Sequence, residues 1–282
     1  MAKEQFTPNT NRNNPKKEGM KPPPKNKKYT DNKPSEYKPG KRKNPEEGLV
    51  RLNKYIADSG ICSRREADTL IQAGVISING KVITALGTKV GLSDVVTMSG
   101  ENLRREKLKY VLLNKPKGFI TTVKDPRERK TVMQLVEQAC KERIVPVGRL
   151  DRNTTGLLLF TNDGDLAKKL THPKHKVRKI YLVELNKPLT KNDFLAISEG
   201  ITLEDGQIAA DKIAFVNPDK KNTIGIEIHS GKNHIVRRIF EHLGYEVVKL
   251  DRTMFAGLTK KEIPRGKFRH LTDQEVKFLK ML

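Results

Sequence analysis

Residues 148–161, GRLDRNTTGLLLFT, constrain the chain more tightly than any other stretch. A short polar turn bounded by Gly148 and Gly156 runs without a break into Leu157-Leu158-Leu159-Phe160-Thr161. An apolar run directly after a turn reads as a buried strand, so the turn must sit at the edge of a packed core. Asp151 lies in that turn with Arg149 and Arg152 beside it, an anion inside a cationic rim. Such a carboxylate suits a nucleophile or base that faces a polyanionic substrate. On residue type alone, an aspartate in a turn more often caps the turn or pairs with a surface arginine.

The charge of the whole chain shows what kind of substrate to expect. The formal net charge is +23, with a calculated pI of about 9.9, so the natural partner is a polyanion. A membrane surface is the other candidate, but no run approaches the roughly 18 apolar residues of a spanning helix, and no signal-peptide core follows Met1. Cys62 and Cys140 are too few for a disulfide framework, which points to a reducing cytoplasm. The six histidines show no metal-ligand spacing and the two cysteines lie far apart, so no metal site is expected. Nucleic acid in the cytoplasm is the expected partner.

Composition divides the chain. Residues 1–47 hold 8 of the 15 prolines, with 13 Lys/Arg against 6 Asp/Glu; too little apolar surface is present to offset conformational entropy, and a disordered basic tail is expected. From Leu49 the pattern turns amphipathic. Leu52, Tyr55, Ile56 and Ala57 fit a helix ending near Gly60, and Ser63 with Glu66 forms a capping box for a second. Val75–Ile78 reads as a strand, with Asn79-Gly80 turning it into Lys81-Val82-Ile83. This small unit is placed at 48–98, a polar linker at 99–109, and a larger unit at 110–282. In the larger unit, strands are expected over 110–113, 144–147, 157–161, 178–185, 211–216, 223–229 and 247–250, and helices over 132–140, 165–170, 192–198 and 234–244, with a last short helix near the end. The elements alternate without a regular βαβ period, so the class is α+β: a small α/β unit followed by a domain with a mixed, mainly antiparallel sheet and flanking helices.

Two stretches carry a resemblance. Gly-Arg-Leu-Asp-x-x-Thr-x-Gly-Leu-Leu-Leu, continued by Thr161-Asn162-Asp163-Gly164, closely resembles the signature of the RsuA-type ribosomal RNA pseudouridine synthases. Arg51-Leu52-Asn53-Lys54-Tyr55 and Ser63-Arg64-Arg65-Glu66-Ala67 resemble the S4 RNA-binding module. Lys115-Pro116-Lys117-Gly118 is similar to the first motif of the same synthases, and the stretch from His234 to Gly244 to their third. The resemblance implies an isomerase that converts uridine to pseudouridine without a cofactor, with Asp151 as the catalytic carboxylate, Tyr181 packed on the target base, and Arg237 paired with Asp151. Arg51, Lys54, Arg64, Arg65, Lys81, Lys115 and Arg149 are the expected RNA contacts, made to phosphates more than to base edges. The family commonly has glutamine where this chain has Ile235.

Residues 157–164 and His172-Pro173 lie closer to the large-subunit branch, so 23S rRNA or a pre-ribosomal particle is the expected substrate, acted on by a monomer. A synthase for 16S rRNA and a non-catalytic ribosome assembly factor remain as alternatives. An unrelated hydrolase would need a second acid near Asp151, for which Asp163 and Asp165 are candidates.

Overall fold

Leu52 and Ile56 on one helix, Ala67 and Ile71 on the next, and Ile76, Val90 and Val96 on short strands close a small hydrophobic core of their own. The computed structural model describes residues 48–282 other than Pro218, and residues 48–282 form one compact unit; the expected tail at 1–47 lies outside the described residues. The order begins β1 (Val50–Arg51), α1 (Leu52–Asp58), α2 (Arg64–Gln72), β2 (Ile76–Ile78), β3 (Lys81–Val82), β4 (Lys89–Val90), β5 (Val96–Met98) and β6 (Glu101–Asn102). The capping box forms as expected: the Ser63 hydroxyl accepts from Glu66 N, and the Glu66 carboxylate accepts from Ser63 N. Residues 101–103, placed in the linker by composition, pack instead with this small module. β6 pairs with β5, and the apolar Leu103 is buried while its carbonyl accepts from the Tyr55 hydroxyl.

The larger part continues with β7 (Tyr110–Lys115), β8 (Val145–Pro146), β9 (Thr155–Thr161), α3 (Gly164–Thr171), β10 (Lys179–Leu185), α4 (Lys191–Glu199), β11 (Ile201–Leu203), β12 (Gly206–Ile208), β13 (Lys212–Phe215), β14 (Thr223–Ile228), α5 (Ile235–His242), β15 (Val247–Phe255), β16 (Leu258–Thr259), β17 (Phe268–His270) and α6 (Asp273–Met281). Its main sheet runs β13-β14-β10-β15-β9-β7-β17, with β8 on β9 and β16 on β15. The β15–β9 pair is parallel and the other pairs are antiparallel, the mixed sheet that the class reading expects.

The unbroken apolar run is explained by the two faces of this sheet. Leu158 and Phe160 enter one core with Val183 and Phe240, whereas Leu157 and Leu159 enter another with Leu166 and Leu279. A strand covered on both sides has no solvent face on which to alternate.

Two expected elements differ. Residues 132–140 form a short 3₁₀ turn at Val132–Leu135 in place of a helix. The backbone uses tight bonds from Val136 N to Met133 O and Ala139 N to Val136 O, and both Val132 and Val136 are drawn into the core. β15 extends to Phe255, far past the expected end at Leu250, because β10 on one side and β9 on the other take up its backbone.

Candidate active site

The turn before β9 is fixed from beneath. Lys115, at the end of β7, has no exposed surface, and its Nζ donates to the carbonyls of Asp151 (2.9 Å) and Thr154 (2.8 Å), with longer bonds to Pro116 (3.3 Å) and Arg152 (3.4 Å). Burial pushes its ammonium down to about 8, against a favourable effect from Asp151. The expected phosphate contact by Lys115 is therefore corrected: a side chain sealed under the turn cannot reach RNA, and four backbone carbonyls already share its protons. The Thr121 hydroxyl donates to Leu150 O (2.7 Å), and Gly118 N donates to Arg152 O (2.9 Å). The motif Lys-Pro-x-Gly thus serves as the floor of the aspartate turn.

Gly156 closes the turn at φ +104°, and a Cβ there would overlap the backbone of Arg252 on β15. Only glycine permits β9 and β15 to approach this closely at that dihedral. That approach brings the Asp151 turn against β15 and, through β15, against β10.

Both oxygens of the Asp151 carboxylate have a partner. Thr154 Oγ1 donates to Oδ2 (3.3 Å), and His234 Nε2 lies 3.1 Å from Oδ1. His234 occupies the left-handed region (φ 49°, ψ 25°) immediately before α5, which turns its ring back toward the aspartate. The expected Asp151–Arg237 pair is absent. Arg237 Nη1 instead donates to the Val247 carbonyl (2.9 Å), and the basic side chain that meets the carboxylate is His234, an ion pair only when its imidazole is protonated, which sits at the start of the helix. Sequence reading did not assign a role to His234 or to Thr154; both stood inside quoted motifs, but nothing in their spacing showed that they meet Asp151.

Two cavities meet at Asp151. The outer one, of about 850 Å³, is lined by Thr122, Lys124, Arg129, Arg149, Arg152 and Arg237 as well as Asp151 and His234. The inner one, of about 510 Å³, is lined by Asp151, Lys179, Tyr181, His234, Arg252 and Phe255 among others. Tyr181 is nearly buried on a strand that also supplies core residues, and it borders the inner cavity. Ile235 packs into the main core and lines the same cavity, so an apolar side chain stands where the family commonly has an amide. The cationic outer rim and the inner space beside Tyr181 suit a polyanion that inserts one flat group.

The remaining expected RNA contacts divide into two sets. Arg51, Arg64, Arg65 and Lys81 are exposed on the small module, and Arg149 is exposed at the junction of the cavities. Lys54 is engaged, pairing with Asp165 at 2.6 Å, and Glu66 pairs with Lys124 at 3.0 Å. These ion pairs tie the first module to the larger part. Asp165 is thereby committed away from Asp151, while Asp163 caps α3 by accepting from Leu166 N and also accepts from the Tyr110 hydroxyl. Neither lines a cavity with Asp151, and the one other acid lining the outer cavity, Asp125, is bound by Arg129 at 2.7 Å, so the hydrolase reading has no free second acid there.

A family described as RNA pseudouridylate synthase matches residues 109–242, and the S4 domain matches residues 50–96. The chain is 43% identical over 237 residues to the ribosomal large subunit pseudouridine synthase B of Bacillus subtilis, covering 83% of this chain and 97% of that protein. It is 39% identical over 230 residues to the dual-specificity RNA pseudouridine synthase RluF of Escherichia coli K12, covering 80% of this chain and 77% of that one. A crystal structure of a pseudouridylate synthase superimposes with a TM-score of 0.59 at 31% identity, covering 82% of this chain and 99% of the other.

Proposed function

The chain belongs to the RNA pseudouridylate synthase family and is an isomerase of that kind, and from that premise we propose that it converts a uridine of large-subunit ribosomal RNA to pseudouridine with Asp151 as the catalytic carboxylate. The observation that carries the assignment is the position of Asp151 at the meeting of the two cavities, with both oxygens oriented and Tyr181 beside it in the inner one. The large-subunit choice is supported by the 43% identical relative, whose name specifies that subunit.

The reaction breaks the bond from C1′ to N1, turns the uracil and joins its C5 to C1′. The product is an isomer, so no cofactor is consumed. Asp151 acts on the sugar, as nucleophile at C1′ or as base toward the adjacent C–H. Its anchored carboxylate is suited to that task because the groups orienting it are already in place before the substrate arrives. The target nucleotide must leave its stack to reach the inner cavity, at a cost of a few kcal/mol that is smallest in loops and bulges. Tyr181 offers a ring on which the extruded base can stack. Arg149 and Arg237 line the outer cavity, where positive charge meets the phosphates on either side.

Arg51, Arg64, Arg65 and Lys81 provide further phosphate contacts that fix orientation without reading sequence. The protein acts on that RNA as a monomer in the cytoplasm, and no helix among the described residues is long and apolar enough to cross a membrane. The test is to map pseudouridine in ribosomal RNA from cells lacking the protein and from the same cells supplied with the wild type or Asp151→Asn. One large-subunit site should vanish, return with the wild type and stay absent with the variant. Unchanged large-subunit modification on deletion would overturn the substrate assignment, and restoration by Asp151→Asn would overturn the catalytic one.

A further inference from the structure

Arg252 lies in the wall of the inner cavity, yet neither the motif around Asp151 nor the basic RNA-binding face accounts for it. It is 2% exposed. On the sheet it is directly opposite Tyr181, because an irregularity in the β10–β15 register between Ile180 and Tyr181 places those two residues in register. Opposed residues in an antiparallel pair project from the same face, and both line the cavity that Asp151 closes. The Arg252 side chain makes one hydrogen bond, from Nε to the Leu157 carbonyl at 2.8 Å, and its guanidinium lies 4.7 Å from the centre of the Phe255 ring. Nη2 is buried without any hydrogen-bond partner.

A second cation stands near it. Lys179, two residues before Tyr181 on the same face of β10, donates from Nζ to the carbonyls of Val177, His229 and Ser230. Burial, and then the charge of Arg252, push its ammonium down to about 8. The carboxylate that shares the cavity, Asp151, is engaged by His234 and Thr154. The inner cavity therefore contains a buried guanidinium with no carboxylate to pair with and an ammonium whose hydrogen bonds all go to neutral carbonyls, with Asp211 as its favourable charge. A cation without a counter-charge is costly in a low-dielectric interior, and such a site is complementary to an anion. The facing Tyr181 ring favours a flat anion with in-plane acceptor oxygens, which a planar guanidinium recognises well.

We propose that Arg252 is a catalytic residue that stabilises the negative charge acquired by the uracil when its bond to C1′ breaks. The inference rests on the pseudouridine synthase reading and adds the group that receives the leaving charge. In this step the C1′–N1 bond breaks and its electron pair passes to N1, where it is shared with O2 and O4. Meanwhile C1′ is satisfied either by a bond to the Asp151 carboxylate or by loss of the C2′ proton to it. After the base turns, C5 supplies the pair that forms the new bond to C1′, and the Asp151 ester bond breaks or the proton returns to C2′. The C5 proton is then lost and N1 takes one up, which leaves an isomer. Arg252, with Lys179 behind it, holds the anion between the two bond changes, in the manner of donors placed where charge develops in a transition state.

The test uses the full-length protein in single turnover on RNA carrying either uridine or 5-fluorouridine at the target, following loss of the starting nucleoside. Fluorine stabilises the uracil anion, so a better leaving group should need Arg252 less. Arg252→Gln should slow uridine consumption by about a hundredfold or more, slow 5-fluorouridine consumption by less than about a tenth of that factor, and leave the half-saturating RNA concentration near wild type. Arg252→Lys should fall between. Equal slowing of the two substrates would overturn the proposal in favour of a packing role. A change confined to half-saturation would overturn it in favour of a phosphate contact.

Because a buried substitution can fail to fold, a second arm uses the wild type alone. Free 5-nitrouracil, which is ionised near neutral pH, should inhibit competitively at a concentration at least tenfold lower than neutral uracil; equal inhibition by the two would overturn the proposal. A wild type that forms no pseudouridine would sink the reading on which the proposal rests, an outcome distinct from all of these.

Discussion

Asp151 lies in a turn whose carbonyls at 151, 152 and 154 accept from one sealed lysine, whose neighbour Leu150 is bonded through Thr121, and whose carboxylate is held at both oxygens. Arg51, Arg65 and Lys81, by contrast, extend from the small module into solvent. The first region is held by hydrogen bonds on several sides, and the second carries its charge on exposed side chains. The contrast fits what each is proposed to do. A group that acts on a single carbon atom loses rate with small displacements, whereas a phosphate contact needs only the right sign of charge within reach. Lys54 and Lys115 mark the boundary between these roles. Both are basic residues expected to contact RNA, yet one is tied to Asp165 and the other is buried as a structural support.

Asp151→Asn should have the largest effect, lowering the single-turnover rate by more than about a thousandfold with the melting temperature and RNA affinity nearly unchanged. Measurable pseudouridine formation at near wild-type rate would break the assignment of the first region. Next is Lys115→Met, which removes the donor shared by the carbonyls beneath the turn. Leaving buried acceptors unpaired costs about 1–3 kcal/mol, and the displaced aspartate should lower the rate by about a hundredfold. If denaturant unfolding and rate were both unaffected, the turn would not depend on its floor.

Tyr181 sharpens the picture within the inner cavity. A base stacked on the ring is stabilised by about 1–3 kcal/mol, so Tyr181→Ala should lose activity by roughly the corresponding factor while Tyr181→Phe stays within a few-fold. Equal, severe losses in both variants would assign a chemical role to the hydroxyl.

A fourth outcome concerns pH. Lys115 and Lys179 are both pushed by burial to about 8, from an ordinary 10.5. Because their folded values are lowered, the unfolded chain binds more protons between about pH 8 and 10.5, and their contribution to stability rises with pH across that window. Catalysis should move the other way, since a neutral amine brings one donor fewer and no charge to the turn. Single-turnover rates at saturating RNA should decline above about pH 8 while the denaturation midpoint does not decline with them. A flat rate profile to about pH 9.5 would show that the charge of the floor is dispensable.

The smallest effects belong to the exposed region. Arg65→Ala or Lys81→Ala should weaken RNA binding a few-fold, and each should reduce the slope of log affinity against log salt by roughly 0.7–0.9. The rate at saturation should be unchanged. A loss of rate without a loss of slope would mean that the module shapes the active site as well as capturing RNA.

The sequence by itself determined a good deal here. The capping box at Ser63 and Glu66, the turn at Asn79-Gly80 and the doubly buried run 157–161 are local patterns, because hydrogen bonds over three residues and side-chain periodicity are properties of neighbouring positions. The resemblance around Asp151 and the S4-like residues was legible for the same reason, as contiguous motifs. Only the tertiary structure could decide which side chains meet across long separations. Lys115 reads as an RNA contact until β7 and β9 pair and enclose it. Arg237 reads as the partner of Asp151 until the start of α5 turns His234 toward the carboxylate and Val247 takes the guanidinium. Arg252 carries no local signal at all. Its burial, its place opposite Tyr181 and its unpaired nitrogen arise from a register irregularity between strands some 70 residues apart in the chain, and the energy of a buried charge depends on everything folded around it.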